Sequence, residues 1–406
     1  MPCLVCAAPN VIEAIDFGPQ PVSSSFLPER DASAPICSLA LGRCERCQII
    51  QLMKPVPHTQ LVPPYDWLVA REPEEHLDTV VEKIVALPGI HPGAVIGGLT
   101  SKDDSTVERF AHRGFTNTWR IRLKEDLGLT DPCANIETVQ ALTEPGRMTA
   151  IADRLGAADV LIVRHIAEHA EQPATFMSGL SALVRPGGVL MLEIPDCSDS
   201  LRIGEFTMLW EEHSLYMTPA TFEPLCTLGG FETVDTTVYP RPFENSIVQL
   251  SRKIAAPGPL RMGLLPAEEA GRLPAYARQF APTKASVRRI LENARTTIGP
   301  IALFGAGHLA CTFVNLMEVA DLIDFVADDT PQKQGKFLPG SRLPICPSGM
   351  LGERGVRLCL LAVSIGSEAG ILSRYERAIE SRVIRFASIF RSSTRSLFKQ
   401  LTEISE

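Results

Sequence analysis

Along this chain the apolar residues fall into two recurring patterns. Short unbroken runs, Val160-Leu161-Ile162-Val163 and Val189-Leu190-Met191-Leu192, read as strands buried on both faces of a sheet, since a strand with one wet face would alternate. A helical stretch and then Arg185-Pro186-Gly187-Gly188 separate them, so the order is strand, helix, tight turn, strand. The first run closes in Arg164-His165-Ile166-Ala167-Glu168-His169 and the second in Pro195-Asp196, which places polar side chains at the sheet's carboxyl edge, where α/β proteins carry their chemistry. Over 72–87 the pairs His76-Leu77, Val80-Val81 and Ile84-Val85 recur at helical spacing. Ala94-Val95-Ile96-Gly97-Gly98 predicts a further strand and bend, with a helix from Ser105 whose Val107, Phe110 and Ala111 face inward.

The pattern continues to the C-terminus. Phe231 to Val238 and Ser246 to Leu250 predict an antiparallel hairpin. Ala255-Ala256-Pro257-Gly258-Pro259 reads as a linker by its breakers, and a largely helical segment follows to about residue 297. Ile301-Ala302-Leu303-Phe304-Gly305-Ala306-Gly307-His308-Leu309-Ala310 is an apolar strand, a Gly-x-Gly-x-x-Ala turn and a helix start. A second strand then ends in Asp328-Asp329, which is the order of a dinucleotide-binding unit. The fold class expected is α/β, with two Rossmann-like sheets and a small N-terminal unit. The expected domains are 1–55, 56–254, a helical linker 255–297, and 298–406.

Charge and cysteine usage narrow this picture. A net charge of -8 disfavours nucleic acid as a partner, because backbone binding needs clustered Lys and Arg. No apolar run is long enough to span a bilayer, and the first residues lack the charged start and apolar core of a signal peptide, so a cytoplasmic protein is expected. Eleven cysteines are an odd count and point to thiols or metal rather than a disulfide framework. Cys3-x-x-Cys6 and Cys44-x-x-Cys47 are two knuckles that can hold the four corners of a zinc tetrahedron. Four thiolates close that site, so the zinc is structural. Cys37 stands outside both knuckles and packs as a small apolar residue.

Late in the sheet region stands Trp210-Glu211-Glu212-His213-Ser214-Leu215-Tyr216. A histidine beside a carboxylate can be tuned as a general base. This heptad resembles the Tyr-His-Glu-His-x-x-Tyr signature of the S-adenosylmethionine (SAM)-dependent C-methyltransferases of nucleotide-linked keto-deoxysugars: the Glu-His pair and the last tyrosine match. The Pro-Gly-Gly turn and the acid-His pair at a strand end are similar to the late motifs of class I methyltransferases. Asp16-Phe17-Gly18-Pro19-Gln20-Pro21 resembles a stretch of that family's zinc domain, and Gln332-Lys333-Gln334-Gly335 with Pro339-Gly340 is similar to turns of its C-terminal domain.

The resemblance covers nearly the whole chain in the right order. It implies a zinc domain, a class I core binding SAM, and a Rossmann-like C-terminal domain holding the nucleotide sugar. It implies catalysis by His213, Glu212, Tyr65 and Tyr216, cofactor contacts at Gly97, Gly98, Asp104, Arg164 and His165, and substrate contacts at Gly305, Gly307, His308, Asp328 and Lys333. The expected partner is a small molecule, and the expected assembly a monomer or homodimer. Two positions depart from the family. Lys102-Asp103-Asp104-Ser105 stands where the sugar enzymes show Asn-Asp-Gly-Thr, and Arg120 stands where an acid would bind the cofactor ribose. An atypical SAM pose, a changed cofactor and a pocket that has lost catalysis all remain open here. So do an oxygen or nitrogen acceptor, a nicotinamide-dependent keto-sugar reductase built on the Gly305-Ala306-Gly307 turn, and a methyltransferase-like binding protein.

Overall fold

The unbroken apolar runs become the central strands of a sheet covered on both faces. The computed structural model describes residues 1–68, 72, 74–254, 265–381 and 383–400, and the expected linker at 255–259 lies outside them. The chain divides into two compact units, Met1–Ala14, Leu41–Ser198 and Glu212–Gly271 in the first, and Ile15–Ala40, Asp199–Glu211 and Arg272–Glu406 in the second.

In chain order the first ten strands are β1 (Val11–Pro21), β2 (Ile36–Cys44), β3 (Ile50–Leu52), β4 (Ile96–Gly98), β5 (Thr118–Arg120), β6 (Ala158–Arg164), β7 (Val184–Asp196), β8 (Leu215–Tyr216), β9 (Phe231–Tyr239) and β10 (Asn245–Lys253). They form a sheet β1-β2-β3-β8 next to the cysteine knuckles and a six-stranded sheet β5-β4-β6-β7-β10-β9. In the larger sheet β4, β5, β6 and β7 run parallel, and β10 pairs antiparallel with both β7 and β9. This closing hairpin is the one the sequence predicts.

Successive residues of a strand point to opposite faces, and both faces are dry. Leu161, Val163, Leu190 and Leu192 join Phe176, Leu180 and Phe222 on one side. Val160, Ile162, Val189 and Met191 join Leu77, Val80, Val81, Ile84 and Phe110 on the other. The helix Leu77–Val85 buries Leu77, Val80, Val81 and Ile84, as its spacing predicts. The helix after β4 begins at Asp104, one residue early. It buries Thr106 and Phe110 but leaves Ala111 exposed, so its inner face is turned from the expected one. Pro186-Gly187-Gly188 is drawn into β7 rather than forming a separate turn. Gly187 has φ +76°, and a Cβ on Gly188 would lie 2.9 Å from the Ala158 carbonyl oxygen, so only glycine lets β7 start this close to β6.

The second unit is built on β11 (Ile301–Phe304), β12 (Phe325–Ala327), β13 (Ile345–Cys346), β14 (Leu358–Leu361) and β15 (Arg385–Ser388). Its sheet has the order β13-β12-β11-β14-β15, all parallel, with the reversal of winding at β11. Residues 15–40 and 199–211 belong to this unit through an aromatic cluster. The ring of Phe280 lies 4.8 Å from that of Phe17 and 5.0 Å from that of Phe206, and Tyr276 lies 4.5 Å from Phe206. The Leu27 amide also donates to the Phe337 carbonyl at 2.9 Å.

Candidate active site

At the carboxyl edge of the larger sheet the β6–β7 register sets Arg164 opposite Glu193, and the two form a buried ion pair. Arg164 Nε donates to Glu193 Oε2 at 2.6 Å, and Arg164 Nη1 donates to the Lys102 carbonyl at 2.8 Å. The other carboxylate oxygen, Glu193 Oε1, has His76 Nε2 at 2.9 Å and His165 Nε2 at 3.2 Å. Burial would raise the Glu193 pKa, but the surrounding His165, His76 and Arg164 outweigh it and hold the carboxyl well below its ordinary range. His165, with φ +48°, sits in the left-handed region. Burial would depress its pKa, yet the Glu72 and Glu193 carboxylates raise it to about 10.

The bend after β4 is organised by Asp103. Its Oδ2 accepts from the amides of Leu99 at 2.8 Å and Thr100 at 2.7 Å, and its Oδ1 accepts from the Arg164 amide at 2.9 Å. Burial is the largest influence on this carboxyl and pushes it up to about 7. Lys102 Nζ pairs with Glu72 at 2.5 Å, and Arg120 Nε with Asp104 at 2.5 Å. A Cβ on Gly97 would meet the Trp119 ring at 2.5 Å, and one on Gly98 would meet Asp103 Cβ at 3.3 Å, so both glycines make room for this chain's own side chains.

These shifts fix the sign of a pH effect. His165 and Asp103 both have folded pKa values above their unfolded ones, so the stability each contributes is present below its unfolded pKa and is lost as pH rises through the folded one. The windows are about 3.8 to 7 and about 6.5 to 10. Thermal unfolding between pH 6.5 and 9, above the window in which His308 acts in the opposite sense, is therefore expected to show a falling midpoint, and His165→Gln should flatten that fall. A midpoint that climbs from pH 6.5 to 9 would refute this assignment.

A second buried cluster lies where Glu168-His169 meets Glu212-His213. His169, on the short turn Ala167–His169, bonds through Nδ1 to Glu137 Oε1 at 2.5 Å. Burial pulls the His169 pKa down, and the Glu137 carboxylate more than offsets this, leaving it raised. The His169 and His213 rings meet edge to face with centroids 4.6 Å apart, and the Tyr216 ring is 6.0 Å from His213. One ligand atom each of Glu168, His169 and His213 lie within 4.8 Å of one another, and so do those of Glu137, His169 and Glu212.

The structure thus brings Glu212, His213 and Tyr216 together. It sets Arg164 and His165 into an ionic network at the strand ends that reaches the second cluster through Glu168, whose Oε1 lies 3.7 Å from His165 Nδ1. Tyr65 stacks on Trp67 with centroids 5.0 Å apart, in the loop that precedes the helix Leu77–Val85. Glu137, Glu168, His169 and Glu193 complete the two clusters. The adjacency of Glu168 and His169 at a strand end and the acid inside an apolar strand were their only signals in the sequence, and Glu137 had none. Cys3, Cys6, Cys44 and Cys47 converge, with Sγ atoms of Cys3 and Cys47 3.6 Å apart and those of Cys6 and Cys44 3.5 Å apart. Those separations suit zinc, since Zn–S bonds of about 2.3 Å at tetrahedral angles give edges near 3.8 Å.

In the second unit, Gly305 has φ +100°, and a Cβ there would lie 2.5 Å from Val363 Cγ1. Asp328 turns inward: its Oδ2 accepts from the Ala306 amide at 2.8 Å and lies 3.2 Å from Lys333 Nζ. His308, next after Gly307, is buried. Its Nδ1 lies 2.9 Å from Ser23 Oγ, its Nε2 lies 3.1 Å from Thr312 Oγ1, and its ring stacks on Trp210 at 3.4 Å. Burial lowers its pKa to about 3. Glu211 accepts from the Ser23 amide and hydroxyl at 2.6 and 2.8 Å. Trp210-Glu211 therefore serve the second unit, while Glu212 to Tyr216 serve the first.

Comparison with known proteins agrees with this order of parts. Residues 3–61 match the family model described as "Putative zinc binding domain", and residues 266–372 match that of the C-methyltransferase C-terminal domain. With the class I core between them, these parts define a SAM-dependent methyltransferase with an N-terminal zinc site. The chain is 26% identical over 369 residues to the C-methyltransferase NovU of Streptomyces niveus, covering 84% of each. Solved structures with a similar fold over 44% of the chain include the 1,6-didemethyltoxoflavin-N1-methyltransferase of Burkholderia thailandensis (15% identity, 77% of that chain, TM-score 0.29). Another is the magnesium protoporphyrin IX methyltransferase of Synechocystis (16% identity, 82% of that chain, TM-score 0.31).

The cysteine set fits zinc. At the sheet's carboxyl edge, where SAM would be held, the polar groups of this structure are paired with one another. The Leu99 and Thr100 amides are taken by Asp103, Arg164 by Glu193, and Arg120 by Asp104. Binding there requires these pairs to be exchanged for groups of the ligand.

Proposed function

We propose that the protein methylates the carbon beside the carbonyl of a nucleotide-linked keto-deoxysugar or a similar activated ketone, by way of an enolate. The observation that carries this reading is His213, buried in a cluster of carboxylates and a second histidine, on a chain whose C-terminal domain is of the C-methyltransferase kind. Imidazole in such surroundings can take the proton next to a ketone at neutral pH. Glu212 orients the ring, and the hydroxyl of Tyr216 or Tyr65 donates to the enolate oxygen as charge gathers there. The resemblance of the heptad and of the C-terminal turns to the sugar C-methyltransferases favours a nucleotide sugar, and it assigns the nucleotide contacts to Gly305, Gly307, His308, Asp328 and Lys333. SAM is the methyl donor of this enzyme class.

His213→Ala is expected to slow exchange of the substrate's α-proton with deuterated water by about 100- to 10,000-fold, the usual loss for a positioned base. The measurement is proton NMR of a nucleotide-linked 4-keto-6-deoxysugar. Undiminished exchange would remove His213 as the base, and absence of exchange with the unaltered protein would remove the enolate reading.

A further inference from the structure

We propose that the Glu168-His169-His213 cluster is a binding site for a divalent transition cation, and that a cation held there blocks His213 as a base. The blocking half rests on the reading above; the binding half does not. The three ligand atoms lie within 4.8 Å of one another, and metal–ligand bonds of about 2.1 Å place neighbouring donors roughly 3 to 3.5 Å apart, so a small inward turn of the side chains closes the site. All three residues are buried.

A second observation comes from unmet hydrogen-bonding demand. Glu168 Oε1 lies 3.7 Å from His165 Nδ1, while among the described residues Glu168 Oε2 and Glu137 Oε2 are buried carboxylate oxygens without a hydrogen-bond partner, in residues 2% and 0% exposed. Such an oxygen is costly to bury, and two of them in one cluster ask for a cation. The bond from His169 Nδ1 to Glu137 is the third sign. It is the outer-shell contact that metal-bound imidazoles make, and it fixes the tautomer that leaves the Nε2 lone pair outward. Two imidazoles and a carboxylate suit Zn²⁺ or Co²⁺ and leave a coordination position open. Coordination occupies the lone pair that His213 needs to accept a proton, so the metal-free and metal-loaded forms differ in whether a base is present.

The test uses full-length protein with its cysteine site filled by zinc, titrated with Co²⁺ and followed by visible absorption and metal analysis. One further equivalent is expected. Glu168→Gln and His169→Ala should abolish it while keeping the zinc, which reports that they fold, and Glu137→Gln should weaken it about 10- to 100-fold. No second equivalent at 100-fold excess of Co²⁺, or binding unchanged in these variants, would overturn the site. In the exchange assay, Zn²⁺ should suppress α-proton exchange and a chelator should restore it. Binding without suppression would overturn the blocking role. Exchange absent even without added metal would instead refute the enolate reading and leave the binding result standing.

Discussion

Glu193→Ala is expected to destabilise the protein by about 3 to 5 kcal/mol, the usual cost of removing one partner from a buried ion pair. The size follows from what Glu193 serves: its two oxygens face Arg164, His76 and His165, which are 1%, 6% and 6% exposed. Without the carboxylate the buried guanidinium loses its 2.6 Å ion-pair partner and keeps the Lys102 carbonyl and the more distant Glu74 carboxylate at 4.0 Å, and His165 loses one of the two charges that keep it protonated. Glu193→Gln keeps the volume and one acceptor, and should fall between the two. Denaturant unfolding at pH 7 measures both. A loss below about 1 kcal/mol for the alanine variant would show that the network is worth no more than a surface pair.

The second large effect belongs to the zinc. Cys44→Ser is expected to lose the tightly held metal and with it the fold of the N-terminal knuckles, because structural zinc supplies an apparent free energy on the order of 10 kcal/mol that such small units do not replace. Cys3, Cys6, Cys44 and Cys47 are all but buried, and β3 and β8 pair directly beside them. Metal analysis together with limited proteolysis of residues 1–61 reads the outcome. A variant that keeps the zinc through dialysis against a chelator, or resists protease as the unaltered protein does, would contradict the assignment.

Both effects bear on the reaction through position. β8 holds Leu215 and Tyr216 against β3, so the zinc-proximal sheet anchors the strand that follows His213. The Arg164–Glu193 pair stands at the carboxyl edge of the larger sheet, where β6 and β7 end.

The sequence by itself determined the elements and the zinc. Unbroken apolar runs gave β6 and β7 because both faces of those strands are covered, and the two Cys-x-x-Cys pairs declared a tetrahedral site because their spacing is local. The Gly-x-Gly-x-x-Ala turn likewise announced the β11 strand and its helix. Tertiary structure alone decided which charges meet. Arg164 faces Glu193 through strand register, Glu137 reaches His169 across 32 positions, and Trp210-Glu211 part from Glu212-His213 because the two halves of one heptad pack on different cores. Periodicity and spacing report a residue's relation to its chain neighbours. Register and the packing of distant segments depend on the whole set of buried surfaces, and these set the charge clusters at the sheet edge.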